Sequence, residues 1–292
     1  MAMTFQGSGP LDTGNVSGGG GGGGAGRIAL GGGAGLIITI VALLFGVNPG
    51  DIMGGGTTGT GSSNSASSSV IDEHIRSCTV EMANQGDAIC RIVATTNSLD
   101  HVWPTLMSNY TPPKTTIFSG SVNTACGAAT SATGPFYCPA DKTAYFDPDF
   151  FDTLVQMGGS NGALAQEYVV AHEYGHHVQN LTGALRKGQQ LGSQGPLSGS
   201  VRVELQADCL AGVWAHHASD EGYDNRLQQL TQQDIAGVIQ TAKAIGDDTI
   251  QGANSNPEGW THGSAQQRAR WFTIGYQGGD PKRCDTFATN DL

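Results

Sequence analysis

His172, Glu173 and His176 stand in the run Val169-Val-Ala-His-Glu-Tyr-Gly-His-His-Val-Gln-Asn-Leu-Thr-Gly183, an H-E-x-x-H spacing. On an α-helix, residues four apart lie about 40° apart around the axis and about 6 Å apart along it. His172 and His176 would therefore project from one face and can present two imidazole nitrogens to a single Zn²⁺. Glu173, one step round the helix, reaches the water that such a metal activates without being a ligand, the place of a general base in metal-assisted hydrolysis. A catalytic zinc usually has three protein ligands and an open position. The run Glu204-Leu-Gln-Ala-Asp208 offers the third. Its two carboxylates are again four apart, so Glu204 is the expected ligand, and Asp208 the expected acceptor for the second ring N–H of a zinc-bound histidine. A three-histidine site is excluded, because Gln179 stands where that pattern requires glycine and Thr182 where it requires histidine.

Hydrolysis of a carbonyl also needs a donor for the developing oxyanion. His262, in Trp260-Thr-His-Gly-Ser264, precedes a helix start, where a loop can aim a side chain into a cleft. It is the candidate donor, with Arg268 one turn into the helix as its orienting group and Tyr168 and Tyr174 as alternatives. His177, His216 and His217 point about 120–140° away from the ligand faces and read as packing residues. His74 and His101 have no partner motif.

The elements that must position these groups are legible in outline. No proline interrupts Ala163–Thr182, its flanks are apolar, and Gly183 suits the position after a helix. Gly175 inside it costs roughly 1 kcal/mol against alanine, a cost that close approach of another backbone or a substrate would explain. A second helix is expected over Val201–Ser219 with Ser200 as cap, and capping boxes at Thr231/Asp234 and Ser264/Gln267 predict two more, through Ala244 and Tyr276. Between the first two lies a polar loop, 184–199. Upstream, Val70–Ser77 and Gln85–Met107 have helical spacing, with Pro104 bending or ending the second. Thr115–Val122 and Phe136–Phe146 read as strands, the latter a hairpin turning at Pro139-Ala-Asp141, and a short helix follows Asp147-Pro-Asp149. Cys78 and Cys90, and Cys126 and Cys138, are each 12 positions apart, which suits two local disulfides and leaves Cys209 and Cys284 to pair.

The first seventy residues differ in kind. Residues 1–27 read as a disordered, glycine-rich cytoplasmic tail, 28–47 as an uncharged stretch long enough for a transmembrane helix, and 48–69 as a Gly/Ser-rich linker to a single domain over 70–292. Arg27 would keep the tail in the cytoplasm and put the domain outside as a single-pass membrane protein, in agreement with six cysteines suited to an oxidising compartment. A net charge of −11 argues against a nucleic-acid partner.

With Gly134-Pro-Phe-Tyr-Cys-Pro-Ala-Asp141, His172-Glu-Tyr-Gly-His-His-Val-Gln-Asn180, Glu204-Leu-Gln-Ala-Asp-Cys-Leu-Ala-Gly212, Trp260-Thr-His-Gly263, Arg268 and Cys284-Asp-Thr-Phe287, the chain resembles the neutral zinc metallopeptidases, a bacterial family with one N-terminal span. The resemblance implies an α+β, mainly helical zincin-like domain with a small β-sheet. It also implies one Zn²⁺ on His172, His176 and Glu204, with Glu173 as base, and the resulting reading is a membrane-anchored, extracytoplasmic zinc endopeptidase acting on a peptide or protein substrate. An extended substrate would pair with a strand from 115–122 or 136–146. The alternatives are a catalytically silent zinc-containing binding module and a zinc amidase acting on cell-wall peptides.

Overall fold

Residues 5–20 pack into the domain. In the computed structural model, which describes residues 5–20, 68–219, 226–252 and 254–292, strand β1 (Val16–Gly19) pairs in parallel with β2 (Lys114–Phe118), Val16 opposite Thr115. The Gly18 N–H donates to Asp72 at 2.6 Å, Pro10 bridges to Thr79, and Phe5 bridges to Leu227 with its ring buried. Composition conceals such a segment. Strand pairing uses backbone N–H and C=O groups, which glycine supplies as well as any other residue. Phe5 and Val16 are the buried apolar side chains of this stretch.

The expected fold, with a transmembrane helix ahead of the domain, is corrected. The predicted span at 28–47 and nearly all of the predicted linker lie outside the described residues, while Ser68 and Ser69 already open helix α1 (Ser68–Ser77). Among the described residues no helix is long and apolar enough to cross a membrane. Among the described residues the fold is α+β, the expected preceding transmembrane helix is not supported, and residues 5–20 pair into the domain's sheet.

Helix α2 (Val80–Gln85) is capped by Thr79 and α3 (Ala88–Leu106) by Asp87, and α3 runs through Pro104 rather than ending there. The main sheet has the order β1-β2-β6-β5, in which β5 (Phe136–Cys138) and β6 (Thr143–Phe146) form the expected antiparallel hairpin. β2 is internal, flanked by β1 and β6, so on the side away from β1 the sheet ends at β5. A separate hairpin, β3 (Ser121–Thr124) and β4 (Gly127–Thr130), is tied to β5 by the Cys126–Cys138 disulfide.

After α4 (Phe150–Gln156) come α5 (Ala163–Thr182), α6 (Ala184–Gln189), α7 (Gly199–Ala218), α8 (Gln232–Ala244), α9 (Asp247–Ile250) and α10 (Ala265–Gly278). The expected polar loop after Gly183 is thus partly helical, and α7 is capped by Ser198 rather than Ser200. Both capping boxes close as expected. Helix α5 lies against α7, and α7 against α10, with very close backbones. A Cβ on Gly175 would stand 3.1 Å from Cα of Ala207, and one on Gly275 would stand 1.9 Å from the carbonyl oxygen of Cys209. The α7–α10 crossing requires glycine at 275, and at Gly175 a side chain would force α7 to give by a few tenths of an ångström. Cys78–Cys90 joins α1 to α3, and Cys209–Cys284 fastens the C-terminal turn to α7.

Candidate metal centre and active site

Helices α5 and α7 bring His172, His176 and Glu204 together. One ligand atom from each lies within 4.8 Å of the others. His172 Nε2 is 3.1 Å from Glu204 Oε2, and His176 Nε2 is 3.5 Å from Glu204 Oε1. Zinc bonds of about 2.0–2.1 Å at tetrahedral angles separate ligand atoms by about 3.3–3.4 Å, which these distances straddle. The hydrogen-bond inventory points the same way. Asp208 accepts from His172 Nδ1 at 2.9 Å, and Gln179 Oε1 accepts from His176 Nδ1 at 2.8 Å. Gln179 is held in that orientation because its amide donates to Val203 O at 2.7 Å and Gln206 Oε1 at 3.0 Å. With its Nδ1 protonated, His176 turns its Nε2 lone pair toward the Glu204 carboxylate, acceptor against acceptor, an arrangement that a cation resolves, while His172 Nε2 meets Glu204 Oε2 directly. His176 Nε2 and Glu204 Oε1 are buried with no hydrogen-bond partner. The donor set fits zinc.

The electrostatics agree. Burial acts to raise Glu204, but His262, His176 and His172 outweigh it and hold the carboxylate ionised. Burial pushes His176 down to about 4, so it is neutral at pH 7. Burial would lower His172 too, yet Asp208 and Glu204 hold it up at about 10, which shows how strongly this pocket favours positive charge.

Behind the ligands sits a second set of contacts. Asp208 accepts the Arg268 guanidinium on both oxygens, at 2.9 and 2.8 Å, and the Tyr168 hydroxyl at 2.5 Å. Sequence reasoning assigned Arg268 to His262. The structure corrects this, because the guanidinium is fully engaged by Asp208. His262 is instead fixed by its own loop. Thr261 Oγ1 lies 2.8 Å from its Nδ1, and Asp247 Oδ2 accepts the backbone N–H groups of Thr261, His262 and Gly263 at 2.7, 2.7 and 3.0 Å. A Thr261 hydroxyl donating to Nδ1 leaves the proton on Nε2, which is buried, unpartnered and 4.0 Å from Glu204 Oε2.

Glu173 is buried beside the ligands with Oε2 unpartnered, and burial pushes its carboxyl up to about 7 against the pull of His172 and of the Tyr137 backbone N–H on β5. A cleft opens over Glu173, His172, Glu204 and His262. Tyr168 borders it but spends its hydroxyl on Asp208, and Tyr174 bonds Thr115 away from the site. His177 is held by Tyr137 and Thr111 O, His216 by Tyr276 O, and His217 by Gly279 O, all as packing residues. His74 lies near Cys78 and Cys90, whose sulfurs are bonded to each other.

Gln179 and Asp247 are the two residues that motif reading did not assign to the site. The only signal for Gln179 was its i+3 spacing from His176, and Asp247 carried none.

The family described as "Putative neutral zinc metallopeptidase" matches residues 6–287. The chain belongs to this family. The match begins within the N-terminal segment that carries β1, and the family implies zinc. The uncharacterized protein YpfJ of Escherichia coli K12 is 38% identical over 286 residues, 94% of each chain. The uncharacterized protein Rv2575 of Mycobacterium tuberculosis is 57% identical over 211 residues, 70% of this chain and 72% of that one. No solved structure matches the chain significantly.

Proposed function

We propose that the protein is a zinc-dependent endopeptidase with His172, His176 and Glu204 as ligands and Glu173 as general base. The observation that carries this is the convergence of unpartnered, buried acceptor atoms at one point beside an unpartnered carboxylate, beneath an open cleft. When bound, zinc supplies Lewis acidity toward water and toward a peptide carbonyl. Glu173 takes the proton of the attacking water and passes it to the leaving amine nitrogen, and a carboxyl pushed up to about 7 suits both transfers. His262 donates from Nε2 to the developing oxyanion. Asp208 and Gln179 hold the ligand rings in their tautomers, and Asp247 holds the loop of His262.

The expected pairing of an extended substrate with 136–146 is not carried by β5, whose three residues are buried and whose Tyr137 N–H already bonds Glu173. The 115–122 stretch does not serve, since β2 is already paired on both sides. All six cysteines are in disulfides, which supports action in an oxidising compartment outside the cytoplasm.

The deciding experiment pairs metal analysis with peptide digestion. Wild type should bind zinc and cleave peptides, losing both with chelator. Glu173→Gln should keep the metal and lose about 10²–10⁴ in rate. Cleavage by zinc-loaded Glu173→Gln at the wild-type rate would remove Glu173 from the mechanism.

A further inference from the structure

The cleft over the candidate centre is polar at one end only. Its other walls are Pro135 before β5, Phe150 and Met157 from α4 and its C-terminus, Val169 from α5, and Ile245 and Ile250 from the α8–α9 region. Four of these, Phe150, Met157, Ile245 and Ile250, are only partly buried: Phe150 and Ile245 pack against the core on one side and border this space on the other, while Met157 and Ile250 lie outside the core cluster. The charged lining groups are already committed. Arg268 is paired on two points with Asp208, and Glu173, Glu204, His172 and His262 gather at the metal end.

We infer that this apolar compartment is a specificity pocket, and that it selects substrates carrying one bulky uncharged side chain (leucine, isoleucine, methionine or phenylalanine) next to the bond that is cut. The inference rests on the endopeptidase reading and adds its substrate class. An apolar side chain placed here leaves water for a wall of carbon atoms, a gain that corresponds to about 10- to 100-fold in kcat/KM over alanine. An aspartate or glutamate side chain would lose its hydration and find no free countercharge, since the Arg268 guanidinium is neutralised where it stands, and a lysine or arginine at the apolar end would lose its hydration with the carboxylates gathered at the metal end. Charged residues at that position are therefore rejected more strongly than small ones.

The test uses the full zinc-loaded chain and a peptide library in which single positions carry leucine, phenylalanine, alanine, aspartate or lysine. Cleavage sites should share a large apolar residue at one fixed position flanking the cut bond, with alanine about 10-fold or more worse and charged residues worse again. Cleavage without that preference, or centred on a charged residue, overturns the pocket while leaving the peptidase reading intact. If nothing is cleaved, the peptidase reading fails, and titration of the same peptides onto Glu173→Gln protein still decides the pocket. Tighter binding of the leucine peptide supports it, and equal binding of leucine, alanine and aspartate peptides overturns it. Met157→Trp and Ile250→Trp, both at partly exposed positions, fill the space. Either should bring the leucine-to-alanine ratio down to about 1, and an unchanged ratio in both folded variants counts against the assignment.

Discussion

Asp208 and Arg268 meet as a two-point ion pair, Nε to Oδ2 at 2.9 Å and Nη2 to Oδ1 at 2.8 Å, and the same Oδ1 accepts from His172 Nδ1 at 2.9 Å. One buried carboxylate thus ties three helices together: α5 through His172, α7 through Asp208 itself, and α10 through Arg268. Burial would raise Asp208, but Arg268 and His172 outweigh it and keep it ionised. Its charge fixes the proton of His172 on Nδ1 and turns Nε2 toward Glu204. The close crossing at Gly275 brings α10 near enough for the guanidinium to reach.

The pair should behave asymmetrically on mutation. Arg268→Ala leaves Asp208 charged, buried and stripped of its main partner, and should cost about 3–5 kcal/mol of stability in denaturant titration. Asp208→Asn spares more of the stability but weakens the hold on His172, so zinc affinity should fall about 10–100-fold in a chelator competition. Equal zinc affinity in Asp208→Asn and wild type would show that Asp208 does not support the ligand.

Gln179 plays for His176 the part that Asp208 plays for His172. Gln179→Met keeps the volume and removes the acceptor, so it should also lower zinc affinity by about 10-fold or more, with secondary structure unchanged by circular dichroism. The effect should be smaller than that of Asp208→Asn, because a neutral amide is the weaker partner for an N–H.

Much of this site could be read from spacing, because helices convert sequence separation into direction. His172/His176 and Glu204/Asp208 are each four apart, and the boxes at Thr231/Asp234 and Ser264/Gln267 mark their helices locally. Contacts set by tertiary approach could not be read this way. Arg268 was assigned to the histidine nearest in sequence, whereas the α7–α10 crossing gives it to Asp208. Asp247 acts through three backbone N–H groups, and any loop residue offers those. β1 was missed for a related reason, since its pairing depends on backbone, while its glycines suggest a chain with too little apolar surface to order.

Asp247 should matter for rate more than for metal. Asp247→Ala frees the N–H groups of Thr261–Gly263 and lets His262 wander. Peptide cleavage should therefore fall by about 10²-fold or more while zinc content stays at the wild-type level. Loss of zinc in step with activity would show that the loop supports the ligands instead.

Asp100 sets a pH dependence remote from the metal. Burial pushes its carboxyl up to about 7, with Asn15 opposing and Asp12 adding to the rise. The polar cavity there is also bordered by Asn97, His101 and Arg226. A carboxyl raised in the folded state favours the protonated form there, so its stabilising contribution is present below the unfolded value of about 3.9 and is lost as pH rises toward 7. Asp100→Asn should therefore be more stable than wild type in denaturant titrations at pH 8 and should lose that advantage at pH 4. An equal difference at both pH values would place the titration elsewhere.

The N-terminal segment makes the most direct test of the fold itself. Residues 5–20 touch α1 through Gly18 and Asp72, α2 through Phe5 and Asn84, and the sheet through β1. A chain beginning at Ser68 would leave β2 as an unpaired edge and open the site that buries Phe5. Burying one phenylalanine contributes about 1.5–3 kcal/mol, and each net hydrogen bond about 0.5–1.5 kcal/mol. Truncation should therefore cost at least about 3 kcal/mol, read as a lower midpoint in denaturant. Because β1 is held only by noncovalent contacts among the described residues, a synthetic peptide of residues 5–20 should bind the truncated chain and raise the midpoint in proportion to its concentration. Phe5→Ala in that peptide should weaken the rescue by about 10-fold or more. A truncated chain as stable as the full one, with no response to the peptide, would contradict the place of β1 in the sheet.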